Sequence, residues 1–338
     1  MKSRSMRLVQ GAAVASTLVA SVFTFVGGTA GVANAAAKKY TVDYVVGAAS
    51  DPFFISMRVG ATAEANKLGI KLVWQGNPSV YSSATQIPIV QNLLATAPNA
   101  LVLAPTDTKA LQPLVAQYVS KKIPVFNVDS GDANQSNITA WVTGNNIQGG
   151  KAAADALAAA IGYAKHCTSS SKCVVAIGVS SITTSTDAAR LQGFAAEVKA
   201  KYPNIKALNP IVSNSQPAVA TSGFKQDLSA NKVAGIFAID GTDLEGASQA
   251  ILTAGSAGKN IKVVGYDAYA TTIKSMQAGK ISAIISQQPA LEGKDIIDAV
   301  YAKLTGKGKI AHLTTLANVV LTPANCAMLC AKYVYKAA

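Results

Sequence analysis

The chain has 338 residues, 30 Lys and Arg against 17 Asp and Glu, two His, and half of its residues hydrophobic. That length supports two domains with cores of their own. The basic residues stand singly, with no Arg-rich run and no interleaved aromatics, so the formal charge of +13 reads as a solvated surface and not as a nucleic-acid interface.

Residues 1–35 carry Lys2, Arg4 and Arg7, a weakly apolar stretch from Gly11 to Val26, and Ala33-Asn34-Ala35, which fits a small-x-small cleavage rule. This pattern predicts a cleavable secretory signal. As a membrane anchor the segment is interrupted by Gly27, Gly28 and Gly31 and is short in strongly apolar residues. No Cys follows to carry a lipid, and no later apolar run is long enough to span. The expected product is a soluble chain of 303 residues and charge +10, periplasmic or extracellular.

From Lys39 onward, short apolar runs alternate with segments of helical period, the signature of repeated β-α units and a parallel sheet. The predicted strands are 40–46, 70–74, 100–103, 124–128, 138–142, 173–178, 205–212, 235–239, 261–266, 282–286 and 314–320. The predicted helices are 53–68, 83–96, 108–121, 147–162, 185–201, 215–230, 243–255, 270–278 and 290–305. Crossings between two lobes are expected near Trp141–Asn146, near Ser286-Gln287-Gln288 and near His312-Leu313. The fold class is therefore α/β, two doubly wound parallel-sheet lobes joined by a multi-strand hinge. One lobe is 36–144 plus 288–312, the other 145–287 plus 313–338.

Chemistry collects at the strand ends, where open parallel sheets hold their ligands. Asp51 follows the first strand and is succeeded by Pro52, Phe53 and Phe54. Asp129, Asp240 and Asp267 close the runs Val-Phe-Asn-Val-Asp, Ile-Phe-Ala-Ile-Asp and Val-Val-Gly-Tyr-Asp. An acid that accepts hydroxyl hydrogens beside flat apolar rings suits a sugar. Plainer readings compete: the two Phe as first-turn core, Asp51 as a helix cap, the other acids as turn formers, Arg190 as a surface ion pair and Gln287 as a hinge residue. Trp141, Phe126, Asn127 and Tyr269 fit the cleft and the core equally well.

The four Cys form two close pairs, Cys167 with Cys173 and Cys326 with Cys330, in a chain read as exported. Two local disulfides are expected. The second pair is the harder case, because residues four apart on a regular helix bridge poorly. A metal site built from all four thiolates competes, but neither pair has the two-residue spacing of zinc knuckles.

Taken together, these segments resemble the periplasmic sugar-binding proteins of ABC importers, of the ribose/galactose type. The resemblance rests on Asp51-Pro52-Phe53-Phe54, Gly60-Ala61 with Ala65–Gly69, Ala104-Pro105-Thr106-Asp107, Ile123-Pro124-Val125 with Asp129, Asn145-Asn146 before Gly149-Gly150, Arg190 with Gly193-Phe194, Val263–Asp267, and Ile285–Pro289. It implies that Phe53 and Phe54 pack on a sugar ring, that Asp51 holds a hydroxyl, and that Asp129, Ser130, Arg190, Asp240, Asp267 and Gln287 fall on ligand-contact positions. Three residues depart from the ribose pattern: Asp51 for Asn, Ser130 for Arg and Ala104 for Asn. A related pentose, hexose or polyol is therefore expected, with no cofactor, a membrane permease as partner and a monomeric state.

A secreted carbohydrate-active hydrolase is the competing class, and a chemotaxis receptor shares the binding role. The two His residues, His166 and His312, belong to no Gly-x-Ser-x-Gly or His-Glu-x-x-His signature. No catalytic residue is assigned, although a glycosidase carboxylate pair remains compatible with the sequence. A sugar-responsive repressor would need an amino-terminal DNA-binding segment where the export signal stands.

Overall fold

The computed structural model describes residues 40–336, so the segment read as a signal, 1–35, lies outside the described residues. In chain order the elements are β1 (Tyr40–Ala48), α1 (Pro52–Lys67), β2 (Ile70–Asn77), α2 (Ser83–Leu94), β3 (Ala100–Leu103), α3 (Gln112–Ser120), β4 (Val125–Val128), β5 (Ile138–Gly144), α4 (Asn146–Ile161) and α5 (Tyr163–His166). They continue with β6 (Cys173–Val179), α6 (Ser185–Lys201), β7 (Ile205–Ala207), β8 (Ile211–Val212), α7 (Pro217–Ala230), β9 (Val233–Ala238), α8 (Gly241–Thr253), β10 (Lys262–Tyr266), α9 (Ala270–Gln277) and β11 (Ala283–Ser286). The last are α10 (Pro289–Thr305), β12 (Leu313–Leu316), β13 (Val319–Leu321) and α11 (Cys326–Tyr333).

One sheet has the order β12-β5-β4-β3-β1-β2 and the other β13-β11-β10-β9-β6-β7, with β8 also on β6. Every pair is parallel except β11 with β13. Both faces of such sheets are covered by helices, so β3, β4 and β11 are buried throughout and read as unbroken apolar runs. The winding reverses between β2-β1 and β3 in one sheet and between β7-β6 and β9 in the other, which makes a switch point in each lobe.

The chain passes between sheets at Asn145, at Gln287-Gln288 and at Ala317-Asn318. The third crossing comes later than His312-Leu313, because β12 first adds to β5, with Leu313 opposite Trp141. The run expected as a single strand over 314–320 is thus two strands in two sheets. The run 205–212 also divides, at Leu208-Asn209-Pro210, where Pro has no N–H for the ladder. The helix expected from 108 begins at Gln112, since the Asp107 carboxylate accepts from Lys109 N and Ala110 N at 2.8 Å each and holds the chain in a turn.

Two helix pairs cross at glycines. A Cβ on Gly60 of α1 would lie 1.8 Å from Ala290 O, and one on Gly193 of α6 would lie 2.1 Å from Ile147 O, so α1 meets α10 and α4 meets α6 backbone to backbone. Both cysteine pairs are bridged, Cys167–Cys173 at the start of β6 and Cys326–Cys330 within α11, with Cα separations of 5.1 and 4.7 Å.

Candidate ligand-binding cleft

The carboxyl ends of both sheets face one cavity of about 400 Å³, counted to its open mouth. The first lobe contributes Asp51, Phe53 and Phe54 after β1, Tyr81 before α2 and Asp129 after β4. The second contributes Ser180 after β6, Thr186, Asp187 and Arg190 of α6, Ser215, Asp240 after β9 and Asp267 after β10, with Gln287 at a crossing.

Phe53 and Phe54 are both cleft and core, at 5% and 3% exposure. Their rings meet edge to face at 5.1 Å, and Phe54 lies nearly parallel to Tyr81 at 6.4 Å. Successive helical positions point about 100° apart, so two adjacent rings can build one corner of a pocket and still pack into the core. Asp51 caps α1, accepting from Phe53 N at 2.8 Å, and the same Oδ1 accepts from Tyr269 Oη across the cleft at 2.6 Å. Capping and cleft lining coexist in this residue.

Asp129 sits at φ 56°, a left-handed conformation that Asp tolerates better than most residues. Its N–H donates to Val142 O at 2.8 Å, and the Trp141 indole donates to its carbonyl at 3.1 Å. Backbone and indole so aim the carboxylate, whose Oδ1 is buried with no hydrogen-bond partner among the described residues.

Arg190 is 3% exposed and is the hub of the second lobe. Nε donates to Asn146 Oδ1 at 2.7 Å, one terminal nitrogen to Ile239 O at 3.0 Å and the other to Gln287 Oε1 at 2.8 Å, while the guanidinium lies 4.1 Å from the centre of the Tyr266 ring. The Gln287 amide nitrogen then donates to Asp267 Oδ1 at 2.8 Å. Tyr335 Oη donates to that oxygen at 3.0 Å, and Gly241 N donates to Oδ2 at 3.0 Å. Asp240 caps α8 through Asp243 N at 2.9 Å and also accepts from Thr242 and Ser180.

The acids differ electrostatically. Burial pushes Asp51 and Asp187 up to about 7, with neighbouring carboxylates adding to the rise, and it pushes Asp129 up as well against the pull of Arg190. Burial acts on Asp240 too, but hydrogen bonds from Asp243, Ser180 and Thr242 outweigh it and hold that carboxyl below its usual range.

Of the nine positions carried over from the resemblance, eight line this cavity and Ser130 does not. Ser130 is fully buried behind the wall, its hydroxyl donating to Pro105 O at 2.7 Å, so it supports the strand end. Sequence reasoning missed Tyr81, Ser180, Thr186, Asp187 and Ser215. Asp187 was within reach of it, three residues before Arg190 on one helical face. Ser180 follows β6 as Asp240 follows β9. Tyr81 and Ser215 lie in irregular turns with no periodic signal. Among the undecided residues, Tyr269 joins the cleft, Trp141 backs Asp129, Asn127 bonds Asp132 at 3.0 Å and Phe126 is core.

Two parallel-sheet lobes joined by three crossings, with a polar, ring-floored cleft between their strand ends, define the type 1 periplasmic binding fold. The periplasmic binding protein domain profile matches residues 42–308, and the chain belongs to that family. The ribose import binding protein RbsB of Salmonella typhimurium is 31% identical over 275 residues, covering 79% of this chain and 86% of that protein. Among solved structures, an ABC transporter solute-binding protein from Agrobacterium vitis bound with alpha-D-tagatopyranose matches at TM-score 0.81 and 28% identity, over 88% of this chain and all of that one. A carbohydrate transporter solute-binding protein from Agrobacterium radiobacter in complex with D-arabinose matches at TM-score 0.80 and 27% identity, over 88% and 99%.

Proposed function

We propose that this chain is an extracytoplasmic solute-binding protein that captures a small sugar or polyol between its lobes and delivers it to an ABC permease. The observation that carries this reading is the pairing of Phe53 and Phe54 with Asp51, Asp129, Arg190, Asp267 and Gln287 around one cavity. Rings take the apolar face of a sugar, while carboxylates and an amide take its hydroxyls. Residues from both lobes surround the guest, so ligand affinity favours the closed arrangement and drives closure. The relatives are named for ribose import or bound to tagatose and arabinose, which supports a monosaccharide-sized guest. In this reading residues 1–35 are a cleavable export signal, the protein works as a monomer and it carries out no chemistry on its ligand.

A thermal-shift screen over pentoses, hexoses, polyols and nucleosides tests it. At one hundred times Kd a ligand adds about 2.7 kcal/mol, enough to raise Tm by several degrees. Stabilisation by one of these supports the receptor. None, together with hydrolysis of a glycoside, reverses the reading.

A further inference from the structure

The cleft is far more acidic than the molecule that holds it. Its wall presents five carboxyl groups, Asp51, Asp129, Asp187, Asp240 and Asp267, and one guanidinium, Arg190. Five of the 17 acidic residues of the chain therefore meet there with one of its 30 basic ones. Arg190 donates no hydrogen bond to any of them and forms one long ion pair, with Asp187. Its nitrogens are engaged by Asn146, Ile239 O and Gln287, and the carboxylate of Asp187 stays 3.9 Å away.

The acids divide by what they already hold. Asp240 and Asp267 each accept three hydrogen bonds from the protein. Asp129 is 5% exposed, and its Oδ1 has no partner among the described residues although the residue lines the cavity. A buried carboxylate oxygen without a donor is costly, and a hydroxyl brings it one hydrogen but no charge. An ammonium group brings three donors and a second positive charge beside that of Arg190, whose pull on Asp129 does not offset its burial. A metal ion would need a cluster, and no group of three metal-binding side chains gathers among the described residues.

We infer that the ligand is a polyhydroxylated amine, an amino sugar or amino polyol, whose ammonium group pairs with Asp129 while its carbon skeleton lies against Phe53 and Phe54. This rests on the solute-receptor reading and narrows its ligand class. The raised carboxyls of Asp51 and Asp187 act in the same sense, because a cation entering beside them restores their charged form.

The test is isothermal titration of the full chain at pH 7 with a panel of pentoses, hexoses and polyols, each set against its amino-deoxy counterpart, D-glucosamine beside D-glucose and 1-amino-1-deoxy-D-sorbitol beside D-sorbitol among them. At least one amine is expected to bind about tenfold or more tighter than its neutral partner, about 1.4 kcal/mol. Asp129→Asn should bring that ratio towards one. Neutral members that bind as well as or better than their amines overturn the inference and leave the receptor standing. Binding of neither member overturns both, and an unchanged ratio in Asp129→Asn removes that residue from the amine site.

Discussion

Tyr269 and Asp51 face each other from the two lobes, and the Tyr269 hydroxyl donates to Asp51 Oδ1 at 2.6 Å. The same oxygen receives the first free amide of α1, from Phe53 at 2.8 Å, so the entry of that helix is tied to the loop after β10. Tyr269→Phe keeps the ring and removes the tie. The open arrangement gains relative to the closed one by about 1 kcal/mol, and affinity for the bound sugar or amine should fall roughly fivefold. Titration calorimetry reads this directly, and an affinity equal to that of the parent would separate the bond from closure.

Asp129 and Asp267 each follow a strand at positive φ, at 56° and 75°, yet their substitutions should behave differently. In Asp267→Asn a new amide must point at Gly241 N or at the donors of Gln287 and Tyr335. A buried donor without an acceptor costs about 1–3 kcal/mol, so Tm without ligand should fall. Asp129→Asn displaces no donor from Oδ1 and relieves a buried charge, so its Tm should match or exceed that of the parent. Binding should suffer in both. The reverse order of Tm values in a melting experiment would contradict the hydrogen-bond assignments.

The stability of the ligand-free protein should fall as pH rises from about 4 to above 7. Asp51 and Asp187 have folded values near 7 against 3.8 for an unperturbed Asp, and Asp129 is shifted the same way. Between those values the folded chain binds more protons than the unfolded one, which gives stability a negative slope with pH. Asp240 runs oppositely, since its lowered value contributes stability that is lost only in stronger acid. Burial raises Asp267, Asp43 and Asp132 as well, so Tm should be higher at pH 5.5 than at pH 8.0. A flat or rising profile across that range would mean these carboxyls are better solvated than their burial indicates.

Much of this architecture is legible in the residues because parallel strands covered on both faces leave unbroken apolar runs, as Ala100–Leu103 does, and because Asp51, Asp129, Asp240 and Asp267 mark the carboxyl ends of β1, β4, β9 and β10. Legibility fails where the deciding contact is remote in sequence. Leu313–Leu316 joins β5 and not β11 through pairing partners some 170 residues away. Tyr335 reaches Asp267 over a separation of 68, and nothing local to either residue announces it. Ser130 misled for a related reason: its position after β4 suits a ligand contact, but a short side chain in that place turns inward to Pro105.

The two disulfides should differ in what they support. Each closes a short loop, which in the chain-entropy account is worth about 2 kcal/mol. Cys167–Cys173 ties the loop after α5 to the first residue of β6, the end of that strand away from the cleft. Its replacement by a pair of Ser should lower Tm and leave affinity unchanged. Cys326–Cys330 sits in α11, whose last turn leads into Tyr335. That residue donates its amide to Ala268 O at 2.8 Å, accepts from Gln287 N at 2.9 Å and touches the Phe53 ring at 5.9 Å. Lys336 adds a bond between its N–H and Ser56 Oγ at 2.5 Å, so the tail grips both lobes. Loosening α11 through Cys326→Ser with Cys330→Ser should therefore lower Tm and weaken ligand binding together. Calorimetry and melting on the two double variants give four numbers, and equal loss of affinity in both would show that the tail has no special hold on the cleft.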